Sequence, residues 1–334
     1  MTGTEVAHLA MEGYGLSWDA EPLAISLSEI SDQAVKRFLQ AARQERNFEI
    51  DPKIPVEEAL EKLRLLRDGQ LTRAALLLFG VNPQNQLIQA QVRCARFRGT
   101  GTSKFVDMQV IEGTLIDQVQ EVMHFIRRNI QLSAEIKELQ REEHWEYPIE
   151  ALREAVVNAI CHRDYTSSGN VQVRIFDDRL EVWNPGTLPE GLSIEDLSRP
   201  HDSRPRNKLI AHAFFLNKYI EQWGTGTLRM IDACRAADFP EPVFTETSGS
   251  FVVTFHKSKL TPEYLQELNL TERQIHAVEY VKEKGQITNQ EYIRLTGVSR
   301  ATATRDLTDL VQKGVLRQQG RGRGSFYELA IGGR

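Results

Sequence analysis

Residues 154–165 read EAVVNAICHRDY and combine a helical pattern with two polar residues on one face. Glu154 and Asn158 are four residues apart, so on a helix of about 3.6 residues per turn their side chains point the same way. Three apolar residues point roughly the opposite way and are sufficient to pack the helix: Leu152, Val156 and Ala159. We therefore expect the Glu/Asn row either to be solvated or to line a functional site.

Length and composition indicate an ordinary globular protein. The 334 residues exceed the size at which single cores stop growing, so two or three domains are expected. The longest apolar run, 74–79, is too short to span a bilayer, and the first residues lack a signal-peptide pattern. The sequence predicts a soluble cytoplasmic protein with no membrane partner. The cysteines form no CxxC pair, so buried thiols are expected.

Charge is unevenly distributed along the chain. The formal net charge is −5, but the segment from Lys257 onward has 13 lysines and arginines against 9 acidic residues, a balance of +4. The preceding part therefore carries −9. This asymmetry directs the search for an anionic partner to the basic C-terminal end.

Periodicity predicts a mixed α/β or α+β first half. Apolar residues recur at helical spacing in three segments, roughly 31–44, 56–66 and 113–132. RAALLLFG (73–80) is a short apolar run that ends in glycine, which suits a buried strand, and VRCARFRG (92–99) alternates as a half-buried strand does.

The pattern sharpens after Tyr147. Pro148 is well placed to open the helix that carries Glu154. VQVRIF (171–176) and RLEVW (179–183) are separated by two aspartates and predict a β-hairpin. A loop-rich segment, a helix near 207–216, a Gly-Thr-Gly sequence that enters another helix at 224–226, and a strand at 250–255 follow.

This order of elements resembles the GHKL ATPases, the group of gyrase, the histidine kinases and MutL. The resemblance implies a Bergerat-type α/β sandwich that binds ATP with Mg²⁺. It assigns Asn158 as the Mg²⁺ ligand and Glu154 as the catalytic carboxylate that orients or deprotonates the attacking water. Both assignments are physically sound, because Mg²⁺ takes one or two protein oxygens and a carboxylate one turn away can reach that water.

The resemblance also assigns residues to nucleotide binding. Glycines in the Gly-x-Gly motif permit close backbone approach, and the following helix offers free N–H groups to phosphate. Asn184 stands where the family has an aspartate that accepts from adenine, and an amide oxygen can accept the same bond. Arg204, Arg206, Asn207 and Lys208 stand where the family has its mobile ATP lid, and they either face the triphosphate or form a solvated charged loop. His162, Arg163 and Asp164 either contact phosphate or hold the helix end. The full set of predicted cofactor-binding residues is Asn158, Asn184, Gly186, Asn207, Lys208, Gly224 and Gly226.

A closer resemblance is carried by ALREAVVNAICHRDY, IFDDRLEVWNPGTLPEG, SRPRNKLIA and EQWGTGTLRMIDACRAADFPEPVF. These segments look like the RecG-like C-terminal ATPase domain of bacterial transcriptional regulators. Such proteins begin with a Schlafen AlbA-type domain, and MEGYGLSWDAEPL resembles the stretch just after it, so the resemblance implies that this domain precedes the chain. The sequence has no Gly-Lys dipeptide and hence no Walker A loop, so no helicase motor is expected.

Residues 270–329 have the pattern of a winged helix-turn-helix. Thr288 and Glu291 form a capping-box pair, Gly297 makes a turn, and Ser299 caps a third helix whose core residues are expected to include Ala301, Leu307 and Leu310. GRGRG (320–324) would form the tip of the wing. Winged helices also bind proteins, but arginines at both contact elements favour duplex DNA. The predicted DNA-binding residues are Arg300, Thr302, Thr304, Arg305, Arg321 and Arg323.

We expect an α+β or α/β multidomain protein with a GHKL-like centre, divided into a lead segment 1–50, an α/β domain 51–145, a nucleotide-binding domain 146–257, a linker 258–269 and a winged helix 270–330. The predicted function is a DNA-binding transcriptional regulator with an ATP/Mg²⁺-binding domain and at most weak ATPase activity. Two alternatives stay open: a non-catalytic DNA-binding or oligomerisation scaffold with a degenerate nucleotide site, and a slow ATPase of DNA repair or defence. The sequence is also compatible with a homodimer.

Overall fold

A computed structural model describes residues 17–137, 140–221, 223–237, 239–257, 265, 268–320 and 325–330. The chain forms two compact units. The N-terminal unit comprises residues 1–234 and 241–255, and the C-terminal unit comprises residues 235–240 and 256–334.

The N-terminal unit contains helices and strands in mixed order. Its first part consists of β1 (Pro22–Leu23), α1 (Asp32–Arg46), α2 (Val56–Lys62), β2 (Leu66–Arg67), β3 (Gln70–Thr72), α3 (Arg73–Phe79), β4 (Val92–Phe97), β5 (Phe105–Ile111) and α4 (Leu115–Asn129). Its second part consists of β6 (Leu132–Lys137), β7 (Gln140–Trp145), α5 (Ile149–His162), β8 (Val171–Ile175), β9 (Arg179–Pro185), α6 (Lys208–Leu216), α7 (Gly226–Ala236), β10 (Val243–Thr247) and β11 (Ser250–His256). The predicted helices near 31–44, 113–132 and 207–216 and the hairpin β8–β9 are confirmed.

A six-stranded mixed sheet with the order β10-β11-β9-β8-β4-β5 organises this unit. Strand β4 runs parallel to β8, while the β4–β5, β8–β9 and β10–β11 pairs are antiparallel. The apolar residues of β8 at 171, 173 and 175 are buried, and the polar residues at 172 and 174 are only partly covered, as strand alternation requires. Helix α4 packs on β4, β5 and α5, and α5 packs on β9. One face of the sheet is thus covered by helices.

The expected strand at residues 73–80 is wrong, because the segment forms helix α3. Thr72 caps this helix, since its Oγ1 accepts a hydrogen bond of 3.2 Å from the N–H of Ala75. Every residue from Ala74 to Phe79 is buried. A helix that is surrounded on all sides has no polar face, so its sequence lacks the periodicity that would have distinguished it from a buried strand.

The predicted boundaries of the lead segment and the α/β domain fall inside a single compact unit. Pairing of β4 with β8 joins residues 92–97 and 171–175 in one sheet. The lead segment contributes Trp18, whose ring stacks on Tyr165 with centroids 5.3 Å apart. These contacts connect residues that are far apart in sequence and that lie in the same compact unit.

The C-terminal unit consists of α8 (Glu272–Lys284), α9 (Asn289–Thr296), α10 (Arg300–Gln312) and the antiparallel pair β12 (Leu316–Gln319) and β13 (Phe326–Leu329). The Thr288/Glu291 capping box is confirmed, because the Thr288 N–H donates to Glu291 Oε2 (2.7 Å) and the Glu291 N–H donates to Thr288 Oγ1 (3.2 Å). Gly297 ends α9 with a φ of +70°. The predicted linker 258–269 lies largely outside the described residues.

The core of α10 differs from the prediction at one position. Leu307 and Leu310 are buried, but Ala301 is exposed and Ala303 is buried instead. Ser299 caps the helix through its Oγ, which accepts from the N–H of Thr302 (3.2 Å). The inward face therefore contains positions 303, 307 and 310, which share one side of the helix, whereas position 301 lies on the other side.

Candidate functional site

Glu154 and Asn158 lie together on α5 and line a cavity of the N-terminal unit. The Asn158 Nδ2 donates to Glu154 Oε1 at 3.3 Å. Glu154 is buried, with 4% of its surface exposed, and Asn158 is partly buried. Charged side chains are rarely this buried on a solvated face, so the alternative of a solvated Glu/Asn row does not hold for Glu154.

The two glycines of the Gly-x-Gly motif bring the start of α7 against this pair. A Cβ atom at Gly226 would lie 2.7 Å from Glu154 Oε1 and 2.9 Å from Asn158 Nδ2. Gly224 has a φ of +63°, and a Cβ there would lie 1.9 Å from the carbonyl oxygen of His201. Glycine is required at 224 for both conformation and space, and at 226 it keeps room next to the polar pair.

Burial raises the pKa of the Glu154 carboxyl above its ordinary value. The Arg229 guanidinium opposes this shift, with Nη1 at 3.5 Å from Glu154 Oε2. Arg229 lies on α7, three residues after Gly226, so both residues are on the same side of that helix. The sequence-based prediction did not include Arg229, although its spacing from the Gly-x-Gly motif was a usable signal.

Asn184 lies at the end of β9 and lines the same cavity. In the orientation that satisfies its neighbours, the Asn184 amide nitrogen donates to the carbonyl oxygens of Ala159 (3.2 Å) and Pro185 (3.1 Å). Gly186 follows with a φ of +122°, and its N–H donates to the Gly249 carbonyl (2.9 Å). Asn184 thus faces the cavity, while Gly186 serves the turn behind it.

The loop between β9 and α6 forms another wall of the cavity. Its lining residues include His201, Arg204 and Arg206. Arg204 Nη1 donates to the Glu190 carbonyl (2.9 Å), and Arg206 Nη2 donates to the Thr187 carbonyl (3.0 Å). Both guanidinium groups therefore hold the loop to itself and also supply positive charge at the cavity.

The end of α5 has separate roles for its three polar residues. His162 lines the cavity, and burial together with the charge of Arg206 lowers its pKa to about 4. Arg163 is buried, donates to the carbonyls of Ser167 and Gly169, and lies 4.7 Å from the Tyr165 ring centroid. Asp164 Oδ1 accepts from the Thr166 N–H (2.9 Å). The buried guanidinium organises the loop after the helix, and His162 faces the cavity uncharged near neutral pH.

Asn207 and Lys208, two of the predicted cofactor-binding residues, are not among the residues that line the cavity. Asn207 is buried, and its Nδ2 donates to the carbonyls of Cys161 (2.9 Å) and Arg163 (2.8 Å) at the end of α5. Lys208 is exposed at the first position of α6. The amide of Asn207 therefore holds two helices together, a role that its position in the sequence does not reveal.

The residues around the cavity fit a magnesium ion that is carried by phosphate. Among the described residues, no cluster of three or more His, Cys, Asp or Glu is placed to hold a metal. Mg²⁺ in nucleotide complexes needs only one or two protein oxygens, since water and phosphate complete its shell. The amide of Asn158 faces the cavity, and the missing Cβ of Gly226 leaves space beside it.

In the C-terminal unit, α10 presents the predicted contact residues that the structure describes. Arg300, Thr304 and Arg305 are exposed, and Thr302 is partly exposed. Thr304 Oγ1 accepts from Asn289 Nδ2 (3.0 Å), which connects α10 to α9. The wing residues Arg321 and Arg323 lie outside the described residues.

A buried carboxylate fixes α10 within its unit. Asp306 Oδ2 accepts from Arg273 Nε (2.5 Å) on α8 and from the Tyr292 hydroxyl (3.0 Å) on α9. Gln274 adds a bond of 2.7 Å to Asp309 Oδ2. Three helices thus share one polar cluster, which leaves Arg300 and Arg305 exposed on a helix held at several points.

Comparisons with known proteins agree with the two-part organisation. Residues 168–255 match the family profile described as "Putative ATP-dependent DNA helicase recG C-terminal". Residues 269–330 match the profile described as "Transcriptional regulator DIP2311-like, C-terminal domain". The first match begins after α5, so Glu154 and Asn158 precede it. No curated protein matches the sequence significantly. No helix of the described residues is long and apolar enough to cross a membrane.

A solved structure extends the likeness to most of the chain. The crystal structure of the DIP2311 protein from Corynebacterium diphtheriae matches with a TM-score of 0.60 and 18% sequence identity. The match covers 96% of this chain and 66% of that chain, so the chain spans less than two thirds of its length. At this identity the likeness shows a common mixed α/β fold. The RecG-like resemblance seen in the sequence is confirmed by the first profile, and residues 269–330 are similar to the C-terminal domain of a DIP2311-like transcriptional regulator.

Proposed function

We propose that this protein is a DNA-binding transcriptional regulator whose N-terminal unit binds ATP with Mg²⁺ in the cavity lined by Glu154 and Asn158. The observation that carries the proposal is the convergence of a buried carboxylate–amide pair with a glycine whose missing Cβ leaves space beside it. Two family profiles, one named for a helicase C-terminal region and one for a transcriptional regulator, support it. The cytoplasm is the expected compartment.

Each side chain has a defined chemical task in this proposal. Bound Mg²⁺ would neutralise phosphate charge, with the Asn158 oxygen as its protein ligand. Glu154 would accept a proton from, or orient, the attacking water, and burial raises its pKa above the ordinary value, which makes its carboxylate a stronger base. Arg204 and Arg206 supply positive charge toward phosphate oxygens from the loop wall. Weak hydrolysis is therefore expected in addition to binding.

Calorimetric titration with ATP, with and without Mg²⁺, tests the nucleotide site. Asn158→Ala should weaken the Mg²⁺-dependent part of the affinity, and Glu154→Gln should keep binding while reducing any hydrolysis. Asn85→Ala removes an exposed amide elsewhere and should change neither. Absence of Mg²⁺-dependent affinity for adenine and guanine nucleotides in the wild-type protein would refute the nucleotide site.

A non-catalytic scaffold is the second candidate, and one observation favours it. The Asn184 amide nitrogen donates to the carbonyl oxygens of Ala159 and Pro185. The residue that stands at the position expected to select adenine therefore has a structural role. A scaffold would also bind DNA, but it would not bind nucleotide. The same calorimetric titration separates the two functions.

For the DNA-binding part, the exposed arginines of α10 are the residues to test. Each phosphate contact contributes about −0.9 to the slope of log K against log salt for B-form DNA. Replacing Arg300 and Arg305 with alanine should flatten that slope by up to about 2 for a duplex selected from a randomised pool. Arg67→Ala, an exposed arginine of the N-terminal unit, is the matched control. A folded protein with no salt-sensitive affinity for any duplex would make the C-terminal unit a protein-interaction module.

A further inference from the structure

Strand β5 is the last strand of the six-stranded sheet and exposes an apolar row. Within the described chain it pairs with β4 on one side, and no strand hydrogen-bonds to its other side. Val106, Met108 and Val110 alternate along it, so they share one face, and their exposed fractions are 56%, 65% and 48%. Exposed edges with apolar side chains are rare in monomeric proteins, because they pair readily with other strands.

The opposite edge of the same sheet is protected, and β5 is not. Strand β10 is short and follows two prolines at 240 and 242, and its Glu246 accepts a hydrogen bond of 2.6 Å from the Leu188 N–H. Strand β5 contains no proline and a single charge, Asp107. Proteins normally block strand edges with prolines, charges or covering loops. Strand β5 therefore lacks the protection that the opposite edge has.

The sequence of β5 is self-complementary about Met108. If two copies of the strand pair antiparallel with Met108 opposite Met108, Val106 of each copy lies opposite Val110 of the other. We propose that β5 pairs in this register with β5 of a second copy of this chain, so that two sheets form one continuous sheet across a two-fold axis. A two-fold contact uses the same patch on both copies, as this pattern requires.

Charge is compatible with this register. Asp107 of one copy would lie opposite Gln109 of the other, so no two carboxylates meet. Within its own chain Asp107 accepts from Arg128 Nη2 (2.9 Å) and Asn129 Nδ2 (2.8 Å), and these bonds hold its pKa below the ordinary value. Arg128 Nη2 also donates to Gln109 Oε1 (3.2 Å). The only acidic group of the strand is therefore already compensated on the helix-covered side.

Pairing of this kind depends on neither nucleotide nor DNA, so it is tested independently of the proposed function. Sedimentation of the full chain from about 1 to about 100 µM covers the range expected for an interface of less than about 1,200 Å². The wild-type protein should show a concentration-dependent dimer. Met108→Lys places two like charges opposite each other and should raise the dissociation constant by about tenfold or more. Ile88→Lys changes a similarly exposed apolar residue elsewhere and should leave the dissociation constant unchanged.

Cysteine cross-linking tests the register. Opposite residues of an antiparallel pair have Cβ atoms about 5 Å apart, so Met108→Cys should form an intermolecular disulfide with itself under mild oxidation. Val106→Cys should not, because its own copies would lie about 13 Å apart along the strands. Mixing Val106→Cys with Val110→Cys should restore the cross-link. The native cysteines are buried and do not compete.

Three results would overturn the proposal. The first is a wild-type chain that stays monomeric over the whole concentration range. The second is a dimer that Met108→Lys leaves unchanged while circular dichroism shows that the variant is folded. The third is cross-linking of Val106→Cys with itself as efficiently as Met108→Cys, which would indicate a different register or non-specific association.

Discussion

Gly226 lies where the start of α7 crosses the Glu154–Asn158 pair, and its missing side chain keeps that space open. A Cβ at this position would come within 2.9 Å of two side-chain ends, which are able to shift, so the protein should still fold. The cost of the substitution is therefore expected in ligand binding rather than in folding.

Gly226→Ala should lower the affinity for Mg²⁺-ATP by about tenfold or more, since a loss of about 1.4 kcal/mol has that effect. The midpoint of thermal unfolding without ligand should change little. Gly101→Ala is the matched control, because a Cβ there meets no atom within 4 Å. Calorimetric titration of both variants checks the result, and equal affinities would show that the space beside Glu154 is not part of the nucleotide site.

Glu154 predicts a pH dependence of stability. Burial raises its pKa above 4.5, and the charged groups that face it are Arg229, Arg153 and Glu221. A raised pKa means that the folded state binds the proton more tightly, so stability from this group is complete below pH 4.5 and is lost as the pH rises through the folded-state pKa. The ionised carboxylate of Glu154 therefore lowers the free energy of unfolding at neutral pH.

Glu154→Gln should therefore be more stable than the wild-type protein at pH 7 to 8, and the difference should shrink as the pH falls toward 4.5. Urea unfolding of both proteins across this pH range measures the effect. Glu58→Gln removes an exposed carboxylate that pairs with Lys62 and serves as the control. If the difference in unfolding free energy between the two proteins did not change with pH, the Glu154 carboxyl would have the same pKa in the folded and unfolded states.

Helix α6 depends on a carboxylate from the start of the chain. Asp19 is fully buried, and its Oδ2 accepts from the N–H groups of Leu209 (2.8 Å) and Ile210 (2.9 Å) in the first turn of that helix. Burial raises the pKa of Asp19, while these hydrogen bonds and one from Ser17 oppose the shift. The first turn of a helix has N–H groups without partners within the helix, and a carboxylate there satisfies them.

Asp19→Ala should destabilise the N-terminal unit by about 1–2 kcal/mol, the usual cost of a lost helix cap. Asp32→Ala removes an exposed first-turn carboxylate of α1 and should cost about 0.5 kcal/mol or less. Chemical unfolding monitored by circular dichroism compares the two. If both variants lost the same small amount of stability, water would be replacing the Asp19 carboxylate as the hydrogen-bond partner of the first-turn N–H groups of α6.

The whole chain contains two compact units, and the C-terminal one has its own apolar core. Residues of α8, α9, α10 and the β12–β13 pair form this core, with Val278, Tyr292 and Leu307 fully buried. Units with separate cores generally unfold in separate steps. The cavity lined by Glu154 and Asn158 lies in one unit, and the exposed arginines of α10 lie in the other.

Scanning calorimetry should accordingly resolve two transitions. Mg²⁺-ATP at a hundredfold excess over its dissociation constant should stabilise only the N-terminal unit, by about 2.7 kcal/mol, and so raise only that unit's unfolding midpoint. The selected DNA duplex should raise only the other. A single transition that both ligands shift equally would show that the two units unfold as one.

Local patterns in the sequence determined much of the architecture. Apolar spacing predicts α1, α4 and α5, alternation predicts β8 and β9, and cap residues predict the starts of α9 and α10. The shared face of Glu154 and Asn158 was also predictable, because four residues make about one helical turn. These features depend on interactions within a few residues, so the sequence records them directly.

Long-range contacts decided the rest. Whether residues 73–79 form a helix or a strand depends on what surrounds them, and the apolar run itself is compatible with both. Asp19 caps a helix about 190 positions later, and Asn207 uses its amide on the end of α5 instead of facing the cavity. A hydrogen bond between distant segments leaves no periodic signal in either segment. Such partners are therefore known only once the chain has brought them together.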